Sequence, residues 1–122
     1  MAEKYTILVA DDEPMNQLIM HELLEDEFDL LCVDNGLACI DSVKHQRPDL
    51  ILMDVNMPEM NGLEATRQIK LIDGCSDLPI ILVSVLASKS EVAIGLAAGA
   101  EGYITKPFDD TTLMEAIRTF LK

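Results

Sequence analysis

Tryptophan is absent, and only two Tyr and three Phe occur among 122 residues, so any core must be aliphatic. Basic residues are scarce as well: 9 Lys and Arg stand against 22 Asp and Glu, for a formal net charge of −13. Such a surface repels phosphate backbones and anionic lipid, which disfavours direct nucleic-acid or membrane binding and points to cations or basic proteins as partners. Long apolar runs are missing too. The longest, over 80–83 and 92–100, fall far short of the roughly 20 residues a membrane span requires. No secretory leader is expected, because Met1-Ala2-Glu3-Lys4 runs straight into a strand-like pattern. The three cysteines, Cys32, Cys39 and Cys75, form no CxxC pair and are odd in number. Reduced thiols in a reducing compartment follow, so a cytoplasmic domain is the expectation.

What the chain does have is apolar content sufficient for one core, 49% of its residues, in a length that suits a single domain. Five short apolar runs, over 6–10, 28–33, 50–53, 78–83 and 102–105, are β-branched and Leu-rich without polar alternation. Strands covered on both faces by helices have this pattern. Between the runs lie helical spacings. Leu113, Ala116, Ile117, Phe120 and Leu121 make one amphipathic face for a last helix, and Met15, Leu18, Ile19 and Leu23 do so for a first, with Pro14 in its opening turn. A second helix is expected after Asp34-Asn35-Gly36, ending before Pro48; a third after Asn61-Gly62; and a fourth from about Ser88 to Ala98, stopped by Gly99. The pattern is (βα)₅, an α/β chain whose right-handed crossovers favour an open doubly wound parallel sheet. Eight units do not fit, so a closed barrel is excluded.

Ligands of open α/β sheets bind beyond the carboxyl ends of the strands. Asp11, Asp12 and Glu13 follow the first run, Asp54 the third, Ser84 the fourth, and Lys106-Pro107 the fifth. Taken singly, each has a plain explanation: a helix cap for Asp11 or Asp12, a turn for Asp54, a satisfied hydroxyl for Ser84, a surface charge for Lys106. If the strands are ordered 2-1-3-4-5, however, those four ends are the nearest neighbours and their side chains share one cleft. Three clustered carboxylates repel one another, and one must take a proton unless a cation joins them. A hard divalent ion such as Mg²⁺ resolves the conflict with oxygen ligands. A carboxylate beside such an ion can attack phosphorus and form an acyl phosphate, with Lys106 and Ser84 left to grip phosphoryl oxygens.

These residues, with Met57-Pro58-Glu59-Met60-Asn61-Gly62, Ala97-Ala98-Gly99-Ala100 and Lys106-Pro107-Phe108, resemble the receiver domain of bacterial two-component response regulators over essentially the whole chain. The resemblance implies a flavodoxin-like five-stranded sheet of order 2-1-3-4-5 and one receiver domain spanning residues 1–122 with no output domain. It implies Asp54 as phosphoacceptor from a histidine kinase, a histidine phosphotransfer protein or a small phosphodonor. Mg²⁺ would be held directly by Asp12 and Asp54, by Asp11 mainly through water, and by the Asn56 carbonyl. Lys106 would hold the phosphoryl group, and its bond to Pro107 is expected to be cis. Ser84 and Tyr103 would form the switch that remodels a protein-binding surface on the fourth helix, fifth strand and fifth helix. Such a domain is a signalling acceptor that promotes its own phosphorylation and dephosphorylation rather than an enzyme acting on other substrates.

Two positions depart from the family pattern. Val85 replaces a small residue and narrows the route to Asp54, and Leu86 offers no hydrogen bond to an attacking water; both are expected to slow hydrolysis of the acyl phosphate and disfavour small donors. The opening Asp11-Asp12-Glu13-Pro14-Met15-Asn16 also resembles receivers of hybrid sensor kinases, with Pro14, Met15 and Pro107 as an apolar rim for a helical partner. Competing readings are weaker. A flavodoxin-type electron carrier needs a Ser/Thr/Gly-rich phosphate loop where this chain has Asp-Asp-Glu-Pro. A haloacid-dehalogenase-like phosphatase places its nucleophile on the first strand. A degenerate receiver serving only to bind protein would tend to have lost the acids and the lysine. His21 and His45 are read as helix-surface residues, the seven Met as core filling, and Cys75 as a loop residue without a partner.

Overall fold

The computed structural model describes residues 4–86 and 88–121; the opening residues 1–3, which carry the expectation about a leader, lie outside them. Five strands alternate with five helices: β1 (Thr6–Ala10), α1 (Pro14–Leu24), β2 (Asp29–Val33), α2 (Gly36–His45), β3 (Leu50–Asp54), α3 (Gly62–Lys70), β4 (Ile80–Ser84), α4 (Lys89–Ala97), β5 (Gly102–Thr105) and α5 (Asp110–Phe120). All neighbouring strands pair in parallel, in the order β2-β1-β3-β4-β5. Both the (βα)₅ pattern and the strand order therefore match expectation.

The unalternating apolar runs have a simple cause. Every residue of β3 and β4 is buried, because each strand face meets helices. Leu8, Ala10, Ile51, Met53, Ile80 and Leu82 face one core with Ile40 and Val43 of α2 and Ala65 and Ile69 of α3. Their neighbours Ile7, Val9, Leu50, Leu52 and Ile81 face a second core with Met20 and Leu24 of α1 and Leu113 and Ile117 of α5. The period of two splits each strand between the two layers.

Local chemistry sets where the helices begin. Asn35, Asn61, Ser88 and Asp109 cap α2 through α5, each accepting a backbone N–H three residues on, at 2.7, 3.0, 3.2 and 2.8 Å. Gly99 (φ +114°) follows α4 in a conformation that only glycine adopts cheaply. Strand ends shift slightly from the expected ranges. The fourth strand starts at Ile80, because Pro79 before it has no N–H for the ladder, and the third and fourth run on to include Asp54 and Ser84.

The expected core face of α1 is corrected. Met15, Leu18, Ile19 and Leu23 are all exposed, at 64, 53, 44 and 37%, and the sheet is met instead by the adjoining stripe of Met20 and Leu24. Apolar residues occupy both stripes, so periodicity alone could not choose between them. The three-residue link over 11–13 sets the helix phase. Met15 is accordingly not core filling, although Met20, Met53 and Met57 are. His21 and His45 are surface residues, and His21 Nδ1 lies 2.7 Å from Glu25 Oε2. The three cysteines are free thiols. Among the described residues no helix is long and apolar enough to cross a membrane.

The two stripes should respond differently to truncation. Leu24→Ala is expected to lower the unfolding free energy by about 2–5 kcal/mol and Leu18→Ala by less than about 0.5 kcal/mol, as read from urea unfolding. A larger loss for Leu18→Ala than for Leu24→Ala would mean that α1 is seated on the other face.

Candidate functional site

The C-terminal ends of β1, β3, β4 and β5 open on one side of the sheet, and the chain places Asp11, Asp54, Ser84 and Lys106 there. Carboxylate oxygens of Asp11, Asp12 and Asp54 lie within 4.8 Å of one another. Asp11 and Asp54 are buried, at 4 and 7% exposure, while Asp12 is exposed. The Lys106 Nζ lies 3.6 Å from Asp11 Oδ2 and 3.5 Å from Asp54 Oδ2. Its bond to Pro107 is cis.

One ammonium faces three carboxylates, so the site is short of positive charge. Burial pushes the Asp54 carboxyl above its ordinary value; Lys106 pulls it down, Asp11 pushes it up again, and the Asn56 N–H lowers it, leaving a net upward shift. The acids are not used as helix caps. Glu13 occupies the cap position of α1 without a side-chain bond, and among the described residues Asp11 Oδ1 accepts only the Glu13 N–H, at 2.9 Å. An all-oxygen, anionic donor set with one acid open to water suits a hard divalent cation that keeps part of its hydration.

The remaining expected residues divide. Asn56 sits at the rim, exposed, its N–H 3.3 Å from Asp54 Oδ1. Ser84 is 1% exposed, and its Oγ accepts the Leu86 N–H at 3.1 Å. Tyr103 lies outside the acidic cluster: half-buried, it packs against the α2/α3 core, and its hydroxyl donates to the Leu86 carbonyl at 2.7 Å. Both are thus tied to the same loop residue. Val85 (65% exposed) and Leu86 (40%) stand beside the cleft, and Val85 joins Asp11, Lys106, Phe108, Ile19 and Leu23 around a groove of about 410 Å³. Pro14, Met15 and Pro107 are exposed.

Sequence reasoning missed the packing behind the acids. A Cβ on Gly62 would lie 2.2 Å from the Asp54 carbonyl, and one on Gly36 would lie 2.5 Å from that of Met60. The Gly62 N–H also donates to Val55 at 2.9 Å, so α3 starts against the backbone that carries Asp54. Between them, Glu59 takes a left-handed φ of 66°, an unusual conformation for a residue with a Cβ. Asn61-Gly62 signals a turn, but nothing in it announces contact with Asp54.

A family model, the response regulator receiver domain, matches residues 7–118. The chain is 35% identical over 116 residues to the chemotaxis protein CheY of Halobacterium salinarum, covering 94% of this chain and 95% of that protein. It is 32% identical over 117 residues to the polar-differentiation response regulator DivK of Brucella anthropi, covering 95% of each. Among solved structures, the receiver domain of a sensor histidine kinase from Pseudomonas aeruginosa PAO1, with magnesium ion coordinated in its active site cleft, superposes with a TM-score of 0.91 at 29% identity, covering 98% of each chain.

The raised Asp54 value has a consequence for stability. Ionisation of a carboxyl whose folded value lies above its unfolded one disfavours folding. That penalty is absent below the ordinary value of 3.8 and complete above the raised one. In buffer free of divalent cations, Asp54→Asn is therefore expected to raise the thermal midpoint at pH 7, and the gain should vanish as pH falls below about 3.8. A lower midpoint at pH 7 would show that the Lys106 contact outweighs burial and repulsion.

Proposed function

The chain belongs to the response regulator receiver domain family, and from that premise we propose that it is a working phosphoacceptor of two-component signalling, with Asp54 as the residue modified. The observation that carries this reading is the convergence of Asp11, Asp12 and Asp54 within 4.8 Å beside the single Lys106 ammonium, at the carboxyl ends of parallel strands. Residues 1–122 would act as one receiver unit in the cytoplasm, taking phosphate from a histidine kinase or a histidine phosphotransfer protein.

In the proposed reaction an Asp54 carboxylate oxygen attacks phosphorus, an O–P bond forms, and the P–N bond of a phosphohistidine breaks with its electron pair returning to the imidazole. Asp12 and Asp54 would hold Mg²⁺ directly, Asp11 through water, and the Asn56 carbonyl would complete the protein's share. Bound there, the cation supplies charge neutralisation for the carboxylates and the incoming phosphoryl oxygens. Lys106 would add a second positive charge where it already bridges Asp11 and Asp54. The Ser84 hydroxyl would exchange its bond with the Leu86 N–H for one with a phosphoryl oxygen. Because Tyr103 holds the carbonyl of that same Leu86, this exchange would reach the surface formed by α4, β5 and α5, where a target protein binds.

The exposed stripe of Met15, Leu18, Ile19 and Leu23 borders the groove beside Lys106. It would receive the phosphodonor, an amphipathic helical partner with a basic rim to match the net charge of −13. Val85 and Leu86 line the solvent side of the cleft with hydrocarbon and would lengthen the life of the acyl phosphate.

Incubation with Mg²⁺ and a cognate phosphohistidine protein should add one base-labile phosphoryl mass, which Asp54→Asn abolishes; an unmodified parent protein would end the active-receiver reading. Leu86→Glu should shorten the phosphoryl lifetime severalfold by holding a water near phosphorus, as followed by loss of label after donor removal. An unchanged or longer lifetime would remove Leu86 from the account.

A further inference from the structure

We infer that Gln17 of α1 is a positioning residue for the cation site, acting through the peptide that joins Asp11 to Asp12. Its side-chain Nε2 lies 2.6 Å from the Asp11 carbonyl oxygen and 3.3 Å from that of Val33. Both partners are acceptors, so chemistry alone directs the two N–H bonds of the amide toward them. The Asp11 N–H donates to the same Val33 carbonyl at 3.0 Å, extending the β1–β2 pairing one residue past β1. Beyond that rung β2 ends, and the Asp11 carbonyl has no strand to pair with. Gln17 takes the vacant place, half-buried one turn into a helix whose own Gln17 N–H returns to Glu13 at 3.1 Å.

The bond matters because of what hangs from it. The Asp11 carbonyl and the Asp12 nitrogen share one rigid peptide plane. Among the described residues no side chain or backbone group hydrogen-bonds the Asp12 carboxylate, so where it projects depends on how that plane is turned and on the torsions of its own side chain. Asp11 makes three hydrogen bonds, through its N–H, its carbonyl and its Oδ1, which accepts the Glu13 N–H, beside the Lys106 contact to its Oδ2. Gln17 supplies the one that fixes the peptide's rotation. Released, the peptide can turn and carry the Asp12 carboxylate away from Asp54. Partners behind metal ligands typically change metal affinity by about 10- to 100-fold when removed.

This inference rests on the cation-assisted reading above, and direct Mg²⁺ titration by calorimetry separates the two. The parent, Gln17→Met, Gln17→Lys and the remote core variant Val43→Ala are compared, each with its thermal midpoint. Gln17→Met preserves shape without a donor and should bind Mg²⁺ about 10-fold more weakly, while Gln17→Lys, which restores donors to the carbonyls, should stay within about threefold of the parent. Val43→Ala should lower the midpoint and leave Mg²⁺ affinity unchanged, which distinguishes positioning from general stability. Should Gln17→Met not fold, Gln17→Asn replaces it, its amide drawn back by one methylene, with the same weakening expected. Mg²⁺ affinity within twofold of the parent in the folded variant overturns the role of Gln17. A parent that binds no divalent cation overturns the reading of the site itself.

Discussion

Three carboxylates held together beside a single ammonium are a costly arrangement, and much of the fold can be understood as what keeps them there. Side chains in water would separate or protonate. Here Asp54 ends β3 and Asp11 directly follows β1, its buried neighbour in the sheet, so their spacing is inherited from the spacing of strands in a sheet. A parallel sheet is needed for this, because neighbouring strands present their carboxyl ends on one side only when they run parallel. The crossover helices that parallel strands require supply the two apolar layers that hold the strands rigid. The repulsion is thus sustained by cores such as Leu8, Ile51 and Leu82 on one face and Val9, Leu52 and Ile81 on the other. Stability lost at the site is offset in the interior, a division common where function opposes stability.

The loops are braced in the same spirit. Gly62 and Gly36 let backbone approach backbone behind Asp54 and Met60, so the segment after β3 is fixed by contact where no ladder continues. The left-handed Glu59 is the local cost of folding that segment back so that α3 starts beneath Asp54. On the other flank Gln17 closes the turn that carries Asp11 and Asp12. Rigidity on both sides suits a site in which mutually repelling carboxylates must not relax apart.

Much of this was legible in the chain. Unbroken runs such as Ile51 to Met53 mark strands covered on both faces, and Asn35, Asn61 and Ser88 announce helix starts through the short-range chemistry of capping. The acids, the hydroxyl and the lysine were visible because strand ends are where chemistry collects in such sheets. The orientation of α1 was not legible, because Met15, Leu18 and Ile19 read as apolar as Met20 and Leu24, and the choice depends on the pitch of a three-residue link. The Gly62 contact and the two hydrogen bonds of the Gln17 side chain were hidden for a different reason. Each depends on which backbone atoms come within reach after three strands have assembled, and no spacing rule encodes that.

Under the proposed function, a signal would leave the site by a route the packing makes cheap. Within its span α4 buries only Gly95, where a Cβ would lie 2.7 Å from Leu82 and 3.1 Å from the ring of Tyr103. A glycine inside a helix lowers that helix's own stability, yet here it makes the room in which the Tyr103 ring rests. The helix with the least core to lose is therefore the one that meets the tyrosine tied to Leu86, and Leu86 is the residue holding the Ser84 hydroxyl. Elements with few buried contacts open at the lowest cost. A change of one hydrogen bond at Ser84 would leave α1, α3 and α5 seated on their cores and act on the one helix whose place depends on how a single ring is turned.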